Sequence, residues 1–329
     1  MKKCIVLFHG DCDGAIAAGL YIRRFLRDMY PEQIILRHSH PWRLNIDLKR
    51  VLSEPDIEMV VLVDLALSED NIQPLLSVAK GGTSIIIIDH HQSSEKTLNQ
   101  LKELDNIKIL WAVVQSTPQV LAQSILRNLN NYENLLVNVA NICEGGNVED
   151  ENVRIVADKV KLVLAVEPTN IELIHKTVDY IVKGDEFWNA PIFNDVFWKA
   201  KWLLNLLLKK ILVKAKTVCD WDIVSFTSPE SLIFAGLFGI ASSEHMKKVK
   251  KSIVLIREEE DKIVVTIRSI KKKALDLCQT IMKNIDHKAK STFGGHKEAA
   301  SLTIKKVYRL REVEDIVENV IKNSICAEK

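Results

Sequence analysis

Glycine and proline are scarce in this 329-residue chain, at 12 and 8 residues. Neither a collagen-like repeat nor a Pro/Gly-rich disordered tract is therefore present. Cysteine is sparse and scattered: Cys4, Cys12, Cys143, Cys219, Cys278 and Cys326 form no C-x-x-C pair. Neither a disulfide framework nor a thiolate zinc site is expected, and a reducing cytoplasm fits. Long apolar runs are missing too. The longest, Trp202 to Val213, is broken by Asn205, Lys209 and Lys210, which leaves no span able to cross a bilayer. Lys2 and Lys3 imitate the start of a signal peptide, but the apolar run behind them stops at His9 and acids follow. Cys4–Phe8 reads better as a first buried strand. An overall charge of one sign is also lacking: 45 Lys/Arg against 43 Asp/Glu leave +2, which by itself selects no polyanionic partner.

What the chain does have is enough apolar residue, 47%, to bury a core in each of about two domains. Its charge is unevenly placed. Between Lys247 and Arg311 there are 18 Lys/Arg and 7 Asp/Glu, so that stretch is +11 and the remainder −9. A basic C-terminal part is consistent with polyanion contact and equally with a solvated lysine-rich surface.

The first half alternates short Ile/Val-rich runs with longer amphipathic ones. Cys4–Phe8, Ile34–Leu36, Met59–Val63, Ser84–Ile88 and Ile107–Trp111 read as strands, and Ala15–Met29, Asp70–Ala79, Ser94–Glu103 and Thr117–Leu129 as helices. Strands without polar alternation are covered on both faces, which predicts an α/β fold with a parallel sheet between helices. From Val137 to Lys183 the pattern is helical, and 185–217 reads as a helical connector. A second, smaller α/β region follows, with strands at Ile223–Phe226, Ser252–Ile256, Ile263–Ile267 and Ser301–Ile304, and helices at Ser231–Ala241, Ala274–Asn284 and Glu312–Ile325. The expected organisation is thus 1–184, 185–217 and 218–329.

Three of the early strands end in polar clusters. Cys4–Phe8 leads into His9-Gly10-Asp11-Cys12-Asp13-Gly14, Met59–Val63 into Asp64, and Ile85–Ile88 into Asp89-His90-His91. In a parallel sheet these positions share one edge, where open α/β folds place ligands. Each cluster alone has an ordinary structural explanation, as a helix N-cap for Asp64 or as a polar turn for the others. Their coincidence at strand ends points instead to a site where cations offset crowded anions. Mixed Asp and His donors suit Mn²⁺, Mg²⁺ or Fe²⁺ better than structural Zn²⁺. Two such cations, about 3.5–4 Å apart, can bind a phosphoryl oxygen, activate water and stabilise a leaving oxygen.

His9-x-Asp11-x-Asp13-Gly14, Asp64 after Val-Leu-Val, Asp89-His90-His91 after four isoleucines, and Gly294-Gly295-His296 before Ala299-Ala300 resemble the motifs of the DHH–DHHA1 phosphoesterases. That family includes RecJ-type exonucleases and oligoribonuclease/pAp-phosphatase enzymes. The resemblance implies a parallel-sheet DHH domain, a helical connector and a smaller α/β DHHA1 domain. It implies two Mn²⁺ ions, with Mg²⁺ as the alternative: His9, Asp11 and Asp64 on one, Asp13, Asp64 and His90 on the other, Asp64 bridging. His91 would face the substrate phosphate, and Asp89 would orient the imidazoles. A fourth motif, normally an Asp, maps onto Ile142-Cys143-Glu144-Gly145-Gly146. Glu144 is the candidate there, with Glu149, Asp150 and Asp185 as alternatives. Arg268 and Ser269 after Ile263–Ile267, together with Gly294, Gly295 and His296, would grip substrate. Family members commonly have Gly at the positions of Phe293 and Ser301.

The implied activity is Mn²⁺-dependent hydrolysis of single-stranded DNA or RNA, or of short oligonucleotides, from an end. The alternatives are a pAp or small-nucleotide phosphatase, a manganese pyrophosphatase, and a non-enzymatic Cdc45-like replication scaffold; replication or repair proteins are candidate partners. His38-Ser39-His40 reads as a loop rather than a metal pair. Phe187, Trp188, Phe193, Phe197, Trp198 and Trp202 could stack bases, but their helical spacing favours packing in the core or between domains.

Overall fold

The computed structural model describes residues 2–285 and 291–323. The chain divides into two compact units, 1–197 and 198–329. In chain order the first unit contains β1 (Lys3–His9), α1 (Cys12–Phe25), β2 (Ile34–Ser39), α2 (Leu44–Val51), β3 (Ile57–Val63), α3 (Ile72–Lys80), β4 (Ser84–Asp89), α4 (Glu95–Leu101), β5 (Ile107–Trp111), α5 (Thr117–Ser124), α6 (Asn131–Cys143), α7 (Glu151–Val166) and α8 (Ile171–Lys183). A long helix, α9 (Pro191–Lys214), runs from one unit into the other.

Strands β2-β1-β3-β4-β5 form a parallel sheet, as the uninterrupted apolar strands predict. Both faces are covered. Cys4, Val6, Phe8, Val61, Val63, Ile86 and Ile88 pack into one core with α1 and α5–α8. The alternate residues Ile5, Leu7, Val60, Leu62, Ile85 and Ile87 pack into the other, against Leu44 and Leu48 of α2, Leu75 and Val78 of α3, and Leu98 of α4. Each strand therefore alternates between two apolar environments, which is why its sequence shows no polar face.

Helix α1 is buried from Cys12 to Ile22. Its small residues allow close packing: a Cβ on Gly19 would lie 2.6 Å from Ile181 Cγ2 on α8. Asp11 caps the helix by accepting the Gly14 N–H at 3.0 Å, and Arg23 and Arg24 sit in the last turn, where cations suit the helix dipole.

The second unit contains β6 (Lys216–Val218), β7 (Trp221–Phe226), α10 (Ser228–Ile233), α11 (Phe238–Val249), β8 (Ser252–Glu258), β9 (Lys262–Arg268), α12 (Ala274–Lys283), β10 (Ser291–Gly295), β11 (Ala299–Lys305) and α13 (Leu310–Ile321). Its mixed sheet runs β10-β11-β9-β8-β7-β6, with only β7 and β8 parallel among the described pairs. Apolar residues of α12 and α13 pack against it.

Several boundaries differ from the sequence reading. The helical stretch 137–183 is three helices, interrupted at Gly145 (φ +84°) and around Pro168. The expected helix Ser231–Ala241 is split into α10 and α11, with Gly236 (φ +79°) between them. Thr117–Leu129 ends as helix at Ser124, and Asn128 turns the chain with positive φ. Helix α2 was not anticipated, although Leu44, Leu48 and Val51 give it one buried stripe. Nor were the short strand β6 and the glycine-rich β10.

The cysteine reading is also corrected: Cys12 and Cys143, 131 residues apart, form a disulfide. Such a separation leaves no local spacing to read. Cys326 lies outside the described residues. No helix among the described residues is long and apolar enough to cross a membrane.

Because the α1–α8 contact leaves no room for a methyl group, Gly19→Ala should destabilise the protein by about 1–3 kcal/mol. Urea unfolding measures this, and an unchanged midpoint would mean the helices are not so closely held.

Candidate metal centre

The ends of β1, β3 and β4 bring the three clusters together. His9 closes β1, and its Nδ1 lies 2.9 Å from Asp11 Oδ2 and 3.7 Å from Asp64 Oδ2. Asp64 follows β3 with φ +57°, a left-handed conformation that Asp tolerates better than most residues. Its backbone N–H donates to the Ile88 carbonyl at 2.8 Å, which ties β3 to β4 beyond the last regular pair. Asp64 is therefore not the N-cap of the next helix.

On the other side of Asp64, Oδ1 lies 3.6 Å from His90 Nε2 and 3.9 Å from His91 Nδ1. His90 Nε2 is also 3.4 Å from Asp13 Oδ2. The two carboxylate oxygens of Asp64 thus face two groups, His9/Asp11 on one side and His90 with its neighbours Asp13 and His91 on the other, and of these the His91 Nδ1 is already engaged by Asp89. Most of these separations are too long for direct hydrogen bonds. Donors about 2.0–2.2 Å from a shared cation, at angles near 90–110°, lie about 3–3.5 Å from each other. The residues fit a pair of divalent ions, and hard oxygen donors mixed with imidazole match Mn²⁺ or Mg²⁺ chemistry.

The surrounding hydrogen bonds orient this set. His90 Nδ1 is 3.2 Å from the Val114 carbonyl; as donor there, it leaves Nε2 with its lone pair towards the carboxylates. Asp89 is fully buried; it is 2.6 Å from His91 Nδ1 and accepts the Ser94 hydroxyl at 2.5 Å. Ser94 Oγ in turn accepts the Leu67 N–H at 2.9 Å. A chain of contacts from the backbone through Ser94 and Asp89 therefore fixes the His91 ring.

Gly14 is required by space. A Cβ there would come within 2.3 Å of the His9 carbonyl oxygen, so only glycine lets α1 start directly under the first cluster.

Sequence reasoning missed Thr117. It is fully buried at the start of α5. Its hydroxyl donates to Asp64 Oδ1 at 2.9 Å, and its backbone N–H donates to Asp13 Oδ1 at 3.2 Å and Oδ2 at 3.1 Å. The N-capping Ser116 and the Pro118 behind it marked a helix start. A helix start offers N–H groups to anions, but nothing in the chain tied this one to Asp13.

Electrostatics show how crowded the acids are without cations. Burial raises Asp13 well above the ordinary carboxylate range, and Asp64, Glu144 and Asp11 add to the rise. Burial likewise raises Asp64, although His9 opposes it. Burial disfavours the charged imidazole of His9, but Asp11 and Asp64 outweigh it and hold His9 well above its usual value. In the same way Asp89 lifts His91, against burial, to about 9.

Glu144 caps the C-terminal end of α6. Glu144 stands at the surface, as Glu149 does, but partial desolvation of its carboxyl, then Asp11 and Asp64, push it up to about 7. The Cys12–Cys143 disulfide places the residue before Glu144 next to the start of α1, where Asp11 is the cap and Asp13 lies in the first turn. Of the alternatives, Asp150 caps α7 through the N–H groups of Asn152 and Val153. Glu149 is exposed, and the Asp185 carbonyl accepts the Tyr132 hydroxyl. None of the three is among the leading influences on Asp13 or Asp64, whereas Glu144 is one for Asp13.

His38 and Ser39 belong to β2 rather than to a loop, and Ser39 donates to Asp47 at 2.7 Å. His40 lies edge-on to His9, with ring centroids 5.4 Å apart, and stacks on Trp42. Phe187, Trp188 and Phe193 are in the core as expected, whereas Trp198 and Trp202 are exposed.

In the second unit, Arg268 ends β9. Its Nε donates to Ser243 Oγ at 3.0 Å and its Nη1 to the Ile267 carbonyl at 3.0 Å. Ala299 pairs with Arg268, and Gly295 pairs with Ala300, so the Gly294-Gly295-His296 turn lies at the same sheet edge as Arg268. Gly295 (φ +131°) has no room for a Cβ, which would meet the Ala299 carbonyl at 2.4 Å. Among the described residues, apart from its chain neighbours, no atom comes within 4 Å of a Cβ on Gly294, and His296 is exposed. Ser269 is buried; its hydroxyl accepts the Lys273 N–H at 3.0 Å.

Residues 230–323 match the DHHA1 domain. Solved structures of the same fold extend over nearly the whole chain. A DHH-domain protein from a family of ribosomal proteins is 16% identical, with a TM-score of 0.62, and the match covers 98% of this chain and 87% of that one. The chain has the DHH–DHHA1 fold. RecJ from Thermus thermophilus, in complex with Mn²⁺, is 14% identical over 97% of this chain and 52% of RecJ, with a TM-score of 0.59. The chain thus spans about half the length of that RecJ. The pGpG-specific phosphodiesterase PggH from Vibrio cholerae is 12% identical over 98% of this chain and 100% of PggH, with a TM-score of 0.59. No curated protein matches the sequence.

Since the Thr117 hydroxyl holds Asp64 while its backbone N–H holds Asp13, Thr117→Val removes the Asp64 contact alone and should weaken Mn²⁺ binding by about tenfold or more, and Thr117→Ser should restore it. Calorimetric titration measures both; equal affinity in all three proteins would remove the hydroxyl from the centre.

Proposed function

We propose that the chain is a Mn²⁺-dependent phosphodiesterase that hydrolyses single-stranded nucleic acid or short oligonucleotides from an end. The observation that carries this reading is Asp64, whose two oxygens face two separate donor groups at the edge of a parallel sheet. Bound divalent ions supply Lewis-acid polarisation of a phosphoryl oxygen and acidification of water.

The protein's own residues provide the rest. His9 and Asp11 form one half of the ligand set, Asp13 and His90 the other, and Asp64 is shared; Glu144 completes the second half from the end of α6. His91, held by Asp89 through Nδ1, keeps Nε2 for a phosphoryl oxygen. In the DHHA1 domain, Arg268 and the Gly294-Gly295-His296 turn grip substrate phosphate and sugar: the guanidinium offers a planar fork, and the glycines allow close backbone approach. Ser269 supports that edge through Lys273 rather than through substrate.

PggH acts on pGpG, and its whole length is covered by this chain, as is 94% of a manganese-bound RecJ exonuclease. Small-nucleotide hydrolysis is therefore kept as the second reading. A scaffold without metal has no support from the donor set, because His9, Asp11, Asp13, Asp64 and His90 are all present and gathered.

The deciding experiment is a length series of end-labelled single-stranded RNA and DNA, with pGpG and pAp alongside, assayed with Mn²⁺ and with EDTA. Turnover that requires the metal and is greatest on short strands is expected; absence of hydrolysis across the series would overturn the reading. Asp64→Asn keeps the side chain's shape and tolerates positive φ, so it should abolish turnover with an unchanged circular dichroism spectrum. Arg268→Lys should raise KM more than it lowers kcat, since a point charge replaces a planar fork.

A further inference from the structure

Two of the chain's largest apolar side chains are more exposed than buried on one helix. Trp198 and Trp202 of α9 are 62% and 64% exposed, in contrast to Phe187, Trp188 and Phe193 just before them, which are buried. They are one turn apart, about 6 Å along the axis, and the Lys201 ammonium lies over the Trp198 ring, 5.2 Å from its centroid. The same face continues through Asn205 and Lys209 to Leu212, at helical spacings of three and four. There it opens into a cavity of about 310 Å³ within the second unit. Asn205, Leu208, Lys209 and Leu212 of α9 and Lys248 of α11 line it, over His245. His245 is buried and anchored by Asp222, 2.8 Å from its Nε2.

Charge identifies the kind of occupant. From Trp198 to Lys214 there are five lysines and no acid, of which Lys199 and Lys201 already make contacts of their own. The end of α11 adds Lys247 and Lys248, with Glu244 as the nearby acid, 3.7 Å from Lys248. Lys210 and Lys214 are engaged by Glu230. A second copy of the chain, docked through a two-fold axis, would set this lysine-rich face against itself and oppose like charges. A polyanion with flat apolar rings meets both features at once: phosphates pair with the lysines, and bases stack on the tryptophans.

We propose that the outward face of α9, with the cavity between α9 and α11, is a binding track for single-stranded nucleic acid. Trp198 and Trp202 stack successive bases of an extended strand, Lys201 and Lys209 follow its phosphates, and the cavity accepts one nucleotide. The choice of nucleic acid among polyanions rests on the proposed activity, but binding to the track needs neither metal nor turnover.

The test uses the full chain in EDTA with a fluorescently labelled 12-nucleotide oligo-dT and oligo-U, read by anisotropy over a range of salt. Binding that weakens steeply with salt is expected. Trp202→Ala should lose about tenfold in affinity, Trp202→Phe should recover most of it, and Lys209→Glu with Lys248→Glu should lower the salt slope. Both positions are at the surface, so unchanged circular dichroism is required of each variant. Equal affinity of Trp202→Ala and wild type, or no binding by the wild type, would overturn the track. So would a dimer in sedimentation velocity that Trp202→Ala dissociates, since the face would then belong to a second copy. Hydrolysis by the wild-type protein is scored separately: loss of binding in Trp202→Ala with no hydrolysis of any substrate would keep the track and discard the nuclease reading, and the converse would do the opposite.

Discussion

Carboxylates do not gather in a protein interior without something to hold them. At the edge of the parallel sheet, Asp11, Asp13, Asp64 and Glu144 lie close enough to disturb one another, and Asp64 is almost wholly buried. Burial and mutual repulsion raise Asp13, Asp64 and Glu144, while His9 and His91 are drawn towards the charged form by the acids beside them. Divalent ions bound there would offset the same crowding, which would link metal affinity to pH.

Much of the first unit serves to hold that arrangement. Two apolar faces bury the strands and bring three strand ends to one edge. Gly14 lets α1 begin directly beneath His9, and Asp11 acts both as helix cap and as cluster member. Thr117, at the start of α5, donates to Asp13 and Asp64 together. The Cys12–Cys143 disulfide fastens the first cluster to the end of α6, where Glu144 stands. These supports come from four different elements, and each is a backbone or short side-chain contact whose position the sheet and helices determine.

The motifs themselves were legible because they are local. His-x-Asp-x-Asp-Gly, the Asp after Val-Leu-Val, and Asp-His-His each sit within six residues of a buried strand, and unbroken Ile/Val runs announce a strand covered on both sides. The Gly-Gly-His turn was legible for the same reason, and the match of residues 230–323 to the DHHA1 domain agrees with it. Features that span long separations were not legible. Helix α2 is short, β6 has three residues, and β10 is rich in glycine, so none carries enough periodicity to stand out. Trp198 and Trp202 follow the same helical spacing as their buried neighbours; spacing shows which residues share a face, not whether anything covers it.

Composition and periodicity alone therefore settled the α/β class, the two apolar faces of the first sheet, and which side chains stand at strand ends, because these follow from the two-residue and 3.6-residue repeats of local structure. Tertiary structure decided the rest: that Asp64 turns one oxygen to each donor group, that Thr117 and Cys143 reach the site from beyond the strands, and that one face of α9 is left in water. Those outcomes depend on the three-dimensional register of segments from about 25 to more than a hundred residues apart, and no local pattern in the chain records it.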